Sequence, residues 1–380
     1  MEKIGASVPD IVPVTYQLPS DFRIFTEEFH RHPSWTWIVK PSGRAQGKGI
    51  FIVTKFSQVA SQFQAKAEGK DDSAASKETY VISRYIDRPL LIGGRKFDLR
   101  VYVLVTSYRP LRVYLYREAF ARFCVVRYSS SANDLGNLFM HLTNVAVQKH
   151  NSSYNKQHGG KWTIKNMRLF LEAERGKEAT DALFNAMEDI ILHSLKAVQA
   201  VITNDKHCFE LYGYDLLIDS DLKPWLVEVN ASPSLSTTTE KDQRLKYALI
   251  RDVFRVVLPK QDAMHNVGED KGSVEGEGAA FTSSTSTAAA GATASSGGGG
   301  GGGGSGSKGG STAPASSATT SGFQAQLEVL VSNRWTGGIA TCTDNIVGGF
   351  ELLYDETIDI ALEKIRTVEG RKATGPARWR

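Results

Sequence analysis

Cysteine is scarce in this 380-residue chain. Its three thiols, Cys124, Cys208 and Cys342, stand far apart with no C-x-x-C spacing. That excludes a disulfide framework and a cysteine-built zinc site, and leaves free thiols in a reducing compartment. Long apolar runs are missing too, since none reaches the roughly 20 residues that a membrane-crossing helix needs. The opening MEKIGASVPD lacks the charged-then-apolar build of a secretory signal, so a cytoplasmic protein with no membrane partner is expected. No G-x-x-x-x-G-K-[ST] sequence occurs, which excludes a P-loop.

Neither sign of charge dominates: 45 Lys and Arg stand against 41 Asp and Glu. The balance is uneven along the chain. Residues 1–260 carry 36 basic against 28 acidic side chains, a net +8, while 261–380 carry 9 against 13, a net −4. A basic body suits an anionic partner, whether nucleic acid, membrane or acidic protein tail, and a surplus of this size does not choose among them. Residues 279–322 are almost entirely Gly, Ser, Thr and Ala, with unbroken glycine from Gly297 to Gly304. Such a stretch cannot bury enough apolar surface to offset its ordering entropy. Three segments are expected: a folded body over 1–260, a disordered Gly/Ser/Ala-rich linker over 261–322, and a partly ordered tail over 323–380.

Within the body, polar residues stand where apolar ones belong. Residues 212–235, YGYDLLIDSDLKPWLVEVNASPSL, have the pattern of a buried hairpin, yet carry carboxylates among Leu, Ile, Val and Trp. An unpaired ion taken out of water costs several kcal/mol unless an opposite charge meets it. A turn over Ser220, Asp221, Leu222 and Lys223 would set Asp219 opposite Pro224 and Asp215 opposite Glu228. Strand alternation then puts Glu228 and Asn230 on one face and Trp225, Val227 and Val229 on the other. Two carboxylates and an amide oxygen form a hard ligand set of the kind that holds Mg²⁺ beside phosphates. A solvated hairpin whose polar face looks at water would show the same spacing.

Further strands are expected at 35–40 (WTWIVK) and 50–53 (IFIV), joined by the glycine-rich PSGRAQGKG, and at 80–86. That loop could cradle phosphates with Lys48 beside it, or be a plain hairpin turn. KFDLRVYVLVTS, residues 96–107, alternates: Phe97, Leu99, Val101, Val103 and Val105 share one face, and Lys96, Asp98 and Arg100 share the other. The charged face either lines a cleft or looks at solvent. LRVYLYR, 111–117, pairs with it as an antiparallel neighbour. Leu183, Met187, Ile190, Ile191, Val198 and Val201 recur at helical spacing over 180–202, with Asp181 near the start of the helix. A last helix runs over 241–258. A meander of strands interrupted by long helices excludes a doubly wound parallel sheet and gives an α+β class.

WIVKP, QGKGIFIV, RYIDRPLLIGGRKFDLRVYVL, HLTNVAVQK, CFELYGYDLLID and PWLVEVNASPSL, taken in this order over roughly 20–258, resemble the ATP-grasp ligases and, within them, the tubulin tyrosine ligase-like family. VNASPSL, LYREAFARF and the late VGGFELLYDE are similar to its polyglutamylase branch and its ciliary members. The resemblance implies an ATP-grasp fold of mixed or antiparallel sheets with helices. It also implies an N-terminal lobe that this chain, beginning almost at the first strand, would mostly lack. It assigns Lys40, Gln46 and Gly47 to the ATP phosphates, with Gln46 also near the acceptor, and Ser83, Arg84, Tyr85 and Ile86 to the adenine hinge. Lys96, Phe97, Asp98, Thr143 and Asn144 would complete the nucleotide pocket, and Asp215, Glu228 and Asn230 would hold two Mg²⁺ ions. Arg122 and Lys161 would bind the carboxylates of the incoming glutamate, with Lys246 a further candidate. Ser83 departs from the family's usual glutamine, and Ala231 from the histidine of some relatives.

The implied reaction is ATP-dependent ligation of free L-glutamate to glutamates in tubulin C-terminal tails through an acyl phosphate. Microtubules, with an accessory subunit, would then be the partner rather than nucleic acid or membrane, and the place of action the cytoplasm, cytoskeleton, and cilium or flagellum axoneme or basal body. Rival readings are a ligase for glycine or tyrosine, a microtubule-binding protein that kept the fold without the chemistry, and a ligase for a small-molecule carboxylate.

Overall fold

The structure is a computed structural model that describes residues 10–67, 78–157, 159–205, 207–258, 346–361 and 363. The expected linker over 261–322, Cys342 and most of the tail lie outside the described residues. Those described fall in one compact unit formed by 1–258 and 328–380. Of the two described thiols, both free, Cys124 is buried and Cys208 exposed.

The chain begins with β1 (Thr15–Leu18), α1 (Phe22–Arg31), β2 (Trp37–Pro41), β3 (Phe51–Val53), α2 (Phe56–Ala67) and β4 (Tyr80–Arg84). It continues through β5 (Leu91–Ile92), the long β6 (Arg95–Tyr108), β7 (Leu111–Tyr116) and β8 (Phe120–Phe123). Two single-turn helices follow, α3 (Leu138–His141) and α4 (Val145–Gln148), then β9 (Lys161–Thr163), α5 (Ile164–Arg175) and α6 (Lys177–Val198). The hairpin β10 (Glu210–Ile218) and β11 (Pro224–Asn230) leads into α7 (Glu240–Val257), and β12 (Ile346–Val347) and β13 (Phe350–Asp355) come last.

Every described strand pair is antiparallel, one of the two arrangements that the α+β reading allowed. A small sheet runs β1-β4-β2-β3, and a nine-stranded sheet runs β11-β10-β6-β7-β13-β12, with β5 and β8 also on β6 and β9 on β8. In the small sheet Trp37, Val39, Val53 and Ile82 pack with Phe25 and Phe29 of α1 and Phe63 of α2. An amphipathic α1 with a phenylalanine every three to four residues is what such a sheet face needs to exclude water.

Alternation along β6 organises the large sheet. Phe97, Leu99, Val101, Val103 and Val105 join one core with Met167 and Leu171 of α5 and Leu183, Met187, Ile190 and Ile191 of α6. On the opposite face the second half of the strand, Tyr102 and Leu104, packs under Leu245, Leu249 and Val253 of α7. The first half of that face carries Lys96, Asp98 and Arg100. α6 ends at Val198, so Val201 falls beyond it and is exposed, contrary to its expected place on the helix.

The tail contributes more than its sequence suggested. β13 adds to the open edge of β7, and Phe350 is fully buried with its ring 4.8 Å from that of Tyr116. Gly348 turns the β12–β13 hairpin at φ +62°, beside the Asp252 carboxylate of α7, which accepts a 2.9 Å hydrogen bond from the Gly349 amide. A side chain at Gly348 would collide with that carboxylate.

Candidate active site

The β10–β11 hairpin brings Asp215 opposite Glu228, as the spacing requires, but by a different route. Ile218, not Asp219, stands opposite Pro224, so the turn is one residue longer than the spacing implied. A bulge next to Asp215 takes up Val227 and restores the pairing. The longer turn has its own cause: the Asp219 carboxylate accepts from the amides of Asp221 and Lys223 and from the Trp225 indole, at 2.8–3.0 Å. The bulge also corrects the facing of Trp225. It shares the side of Leu217 and packs with it and Ile86, on the same face as Glu228 rather than the opposite one.

Cross-strand pairing then lays a charged row over the large sheet. Glu228 on β11 faces Asp215 on β10, and Asp215 faces Arg100 on β6. Beside Arg100 on that face, Asp98 pairs with Arg122 on β8, and Arg122 faces Lys161 on β9. Arg100 grips Asp215 through Nε and Nη2 at 2.5 and 2.9 Å. Arg122 grips Asp98 through Nε at 2.8 Å and through Nη2, which also lies 2.8 Å from Asp215 Oδ2. Its Nη1 makes no hydrogen bond to a described residue. Burial opposes the Arg122 charge, but Asp98 and then Asp215 outweigh it, and the guanidinium's pKa rises. Burial would likewise raise Asp215, yet Arg122 and Arg100 hold it well below the usual carboxylate range. Glu228 goes the other way: burial and then the adjacent Asp215 raise it.

Facing this row is a cavity of about 460 Å³ lined by residues from both sheets. Lys40 from β2 and Lys96 from β6 both point into it, and burial lowers the pKa of each. Two ammoniums drawn out of water toward one space select a polyanion there. Lys96 donates to the Tyr85 hydroxyl at 3.0 Å, and that oxygen lies 2.8 Å from His141 Nδ1. Ser83 is buried and its hydroxyl accepts from Thr15 Oγ1, while the Arg84 guanidinium stacks 4.3 Å over Trp35. What these two offer the cavity is therefore mainly backbone, beside the apolar wall of Ile86 and Leu217.

The glycine loop and the HLTN turn close the cavity. Gln46 and Gly47 both take left-handed backbone, φ +64° and +80°. A Cβ on Gly47 would sit 2.9 Å from Val147 and 3.3 Å from Asn144 Oδ1. The turn itself is held by buried Gln148, which accepts from the Val125 amide at 2.7 Å and donates to the carbonyls of Phe139 and Leu142. Thr143 and Asn144 are thereby fixed on the cavity wall. Phe97 does not belong to this set. Its ring turns into the core against Phe123, because an odd position on β6 faces α5 and α6.

Lys161 and Lys246 converge on buried Asp242 of α7, with Nζ to carboxylate distances of 2.7 and 3.2 Å. Burial lowers Lys161 although Asp242 works against that, and Asp242 is held down by Lys161 and then Lys246 despite its own burial. One carboxylate between two lysines leaves local positive charge in excess.

The donor set can be tested against a divalent cation. Asn230 Nδ2 donates to Gly213 O at 3.1 Å and to Glu228 Oε1 at 3.2 Å, so its Oδ1 is left without a donor among the described residues. A carboxylate held ionised by arginines, a second whose proton affinity burial and that neighbour raise, and an amide oxygen together fit a hard ion. No group of three or more His, Cys, Asp or Glu suited to a metal occurs among the described residues, consistent with a set completed by an amide. Arg100, His141 and Asp242 were not singled out as site residues. Arg100 had a signal in sharing the Lys96–Asp98 face, whereas His141 and Asp242 act through neighbours that only the fold reveals.

Residues 1–265 match the family described as "Tubulin-tyrosine ligase family". The chain is 51% identical over 250 residues to "Probable alpha-tubulin polyglutamylase Ttll1" of Tetrahymena thermophila, covering 66% of this chain and 60% of that one. It is 45% identical over 281 residues to "Probable tubulin polyglutamylase TTLL9" of Rattus norvegicus, covering 67% and 60%. With "Tubulin polyglutamylase TTLL5" of Homo sapiens it shares 38% over 262 residues, 65% of this chain and 19% of the other. The chain thus spans about 60% of the length of the first two relatives.

Proposed function

The chain belongs to the tubulin-tyrosine ligase family, and on that premise we propose that it is an ATP-dependent tubulin polyglutamylase acting on the glutamate-rich C-terminal tails of tubulin. The observation that carries this reading is the Asp215–Glu228 pair with Asn230, set across one cavity from Lys40 and Lys96. In it Asp215, Glu228 and Asn230 would hold Mg²⁺, two ions by the family's pattern, which would supply charge neutralisation for ATP. Lys40 and Lys96 meet the phosphates, the Gln46–Gly47 loop covers them, and the adenine lies along the 83–86 backbone against Ile86 and Leu217.

The reaction asks these residues to hold negative charge. An oxygen of the acceptor carboxylate attacks the γ-phosphorus, ADP leaves, and an acyl phosphate forms. The amine of free glutamate, having shed a proton to solvent, then attacks the acyl carbon; the C–O bond breaks, phosphate departs and an amide remains. Arg122 keeps Nη1 for a carboxylate of the incoming amino acid, and Lys161 offers a second cation on the neighbouring strand. Fixed cations in a site shielded from water stabilise such charge far better than solvent does. The net +8 of residues 1–260 would steer an acidic tail toward the site in a salt-dependent way. From such a substrate we infer action on the cytoskeleton, in the cytoplasm and the cilium or flagellum.

Mass spectrometry of tubulin tails after incubation with the full chain, ATP, Mg²⁺ and either glutamate, glycine or tyrosine tests the reading. Mass increments of whole glutamyl residues are expected, with none from glycine or tyrosine. Unmodified tails together with intact microtubule binding would instead favour a ligase fold that has lost its chemistry.

A further inference from the structure

A second cavity, of about 790 Å³, opens at the β9 edge of the large sheet and is lined from the β5–β6 turn, β8, β9, α5 and the start of α7. None of its lining residues among those described is a carboxylate. Arg95, Lys161 and Lys241 are its charged groups, and Asn155, Gln157 and Asn166 supply amides. Arg95 and Lys241 are exposed and form no ion pair among the described residues. Lys161 is already paired with Asp242, so Arg95 and Lys241 carry the cavity's uncompensated charge. In a chain with nearly equal numbers of acids and bases, two such cations attract an acidic ligand.

The floor of the cavity is aromatic. Trp162 is 39% exposed, with its ring 5.2 Å from that of Phe123 and 6.1 Å from that of Phe170. A free phosphate gains nothing from such a floor, whereas the methylenes of a glutamate side chain can lie on it while the carboxylate reaches a cation. Its position is the second argument. Lys161 lines this cavity and stands directly opposite Arg122, the end of the charged row that begins at Glu228. From Asp215 on β10 to Lys161 on β9 there are three interstrand steps, roughly 14 Å. About four residues of extended chain cover that distance.

Resting on the ligase reading above, we propose that this cavity binds the acidic stretch of the acceptor peptide flanking the glutamate being modified, with Arg95 and Lys241 reading its carboxylates at the rim and Trp162 packing its side-chain stems. Neither rim residue touches the nucleotide cavity, so they set affinity for the acceptor and leave ATP binding alone. The site favours a run of glutamates over a single acidic residue.

The test uses the full chain and a fluorescein-labelled glutamate-rich peptide, followed by anisotropy, with a glutamine-for-glutamate peptide as control. Arg95→Glu and Lys241→Glu should each weaken peptide binding by about tenfold, with a loss that shrinks at high salt. Arg95→Gln should lose less, and a fluorescent ATP analogue should bind all of them as it binds the parent. In ligation assays the variants should raise KM for the peptide and spare KM for ATP. Unchanged peptide affinity in both charge reversals overturns the proposal, as does equal binding of the glutamine control. Displacement of the peptide by an oligouridylate, with stronger dependence on Arg95 and Lys241 than the peptide shows, overturns it in favour of nucleic acid. Variant-sensitive peptide binding by a chain that ligates nothing keeps this site and removes the ligase reading. Ligation with peptide KM unmoved in both variants does the reverse.

Discussion

Arg122 pairs with its cross-strand neighbour Asp98 and also reaches over β6 to Asp215, with Nη2 2.8 Å from Oδ2. One guanidinium thus serves two carboxylates from different strands, which a point charge such as lysine cannot do with the same geometry. All three side chains are buried. Removing the cation strands buried Asp98 and leaves Asp215 to Arg100 alone.

Arg122→Ala is therefore expected to destabilise the fold by about 3–5 kcal/mol, and Arg122→Lys by less. Urea unfolding checks this. A double variant in which Asp98→Asn accompanies Arg122→Ala should recover part of the loss, because the charge stranded at position 98 is gone while Arg100 still pairs with Asp215. Equal stability in the parent and Arg122→Ala would mean that the row of charges is solvated and not a buried network.

Below its raised pKa, Glu228 should give up a proton when Mg²⁺ binds. Its folded pKa is raised by burial and then by Asp215, so the folded cavity takes up a proton more readily than the unfolded chain does. The sign follows: this group favours the folded state increasingly as pH falls through its raised value, and the same proton competes with the metal. Mg²⁺ affinity should weaken as pH falls through a range above the ordinary glutamate value. Calorimetry in buffers of different ionisation enthalpy should show proton release on binding, and Glu228→Gln should abolish both the release and ATP turnover. Mg²⁺ binding that is flat with pH and releases no proton would remove the ion from this pair.

Tyr85→Phe should uncouple Lys96 from His141. The hydroxyl accepts from Lys96 at 3.0 Å and lies 2.8 Å from His141 Nδ1, whose other nitrogen is 3.1 Å from the Asp134 carbonyl. Burial lowers the His141 pKa, so a neutral ring is suited to this bridge. Loss of one buried hydroxyl with two partners should cost about 1–3 kcal/mol and weaken a fluorescent ATP analogue several-fold. His141→Asn, which keeps a hydrogen-bonding group, should be milder than His141→Leu. Unaltered nucleotide affinity in Tyr85→Phe would show that Lys96 is positioned by other contacts.

Much of this site could be read in the chain because strand alternation is a strict rule. Lys96, Asp98 and Arg100 share a face in sequence and in space, and the choice between a cleft and a solvated surface needed only the position of α7 to decide it. The Asp215–Glu228 pairing came out right through two offsetting departures, a longer turn stabilised by the Asp219 side chain and a bulge at Val227. No periodicity signals a bulge, which is why Trp225 faces opposite to the expected side. Phe97 was assigned to the nucleotide by its place in a motif, although its own alternation already put it in the core. The cavity at Arg95 and Lys241 joins residues about 145 positions apart, and β13 pairs with a strand more than 200 residues earlier; such contacts leave no local pattern.

Gly47→Ala should loosen the lid over the phosphates. The residue has φ +80° and a new Cβ would lie 2.9 Å from Val147 Cγ2, against a helical turn pinned by buried Gln148. The loop is the exposed partner and would give way. Strain of about 1–3 kcal/mol should show as an increase in KM for ATP of about tenfold with a smaller change in thermal stability. The reverse split, a stable nucleotide KM with a much lower melting temperature, would make the glycine a folding residue.

Removal of residues 346–363 should damage the body although none of the described ones lines the proposed active site. β13 covers the edge of β7, Phe350 fills a fully buried seat on Tyr116, and Glu356 accepts from the Leu111 amide at 2.7 Å and from Gln199 at 2.9 Å. Losing Phe350 alone is expected to cost about 3–5 kcal/mol, and an uncovered edge strand invites self-association. Phe350→Ala in the full chain separates the two effects: it should lower stability by that amount while keeping β7 paired and the protein monodisperse in light scattering. The deletion should instead aggregate. If both variants melted and scattered like the parent, the tail's strand would be a bystander, and the fold of the large sheet would be complete at α7.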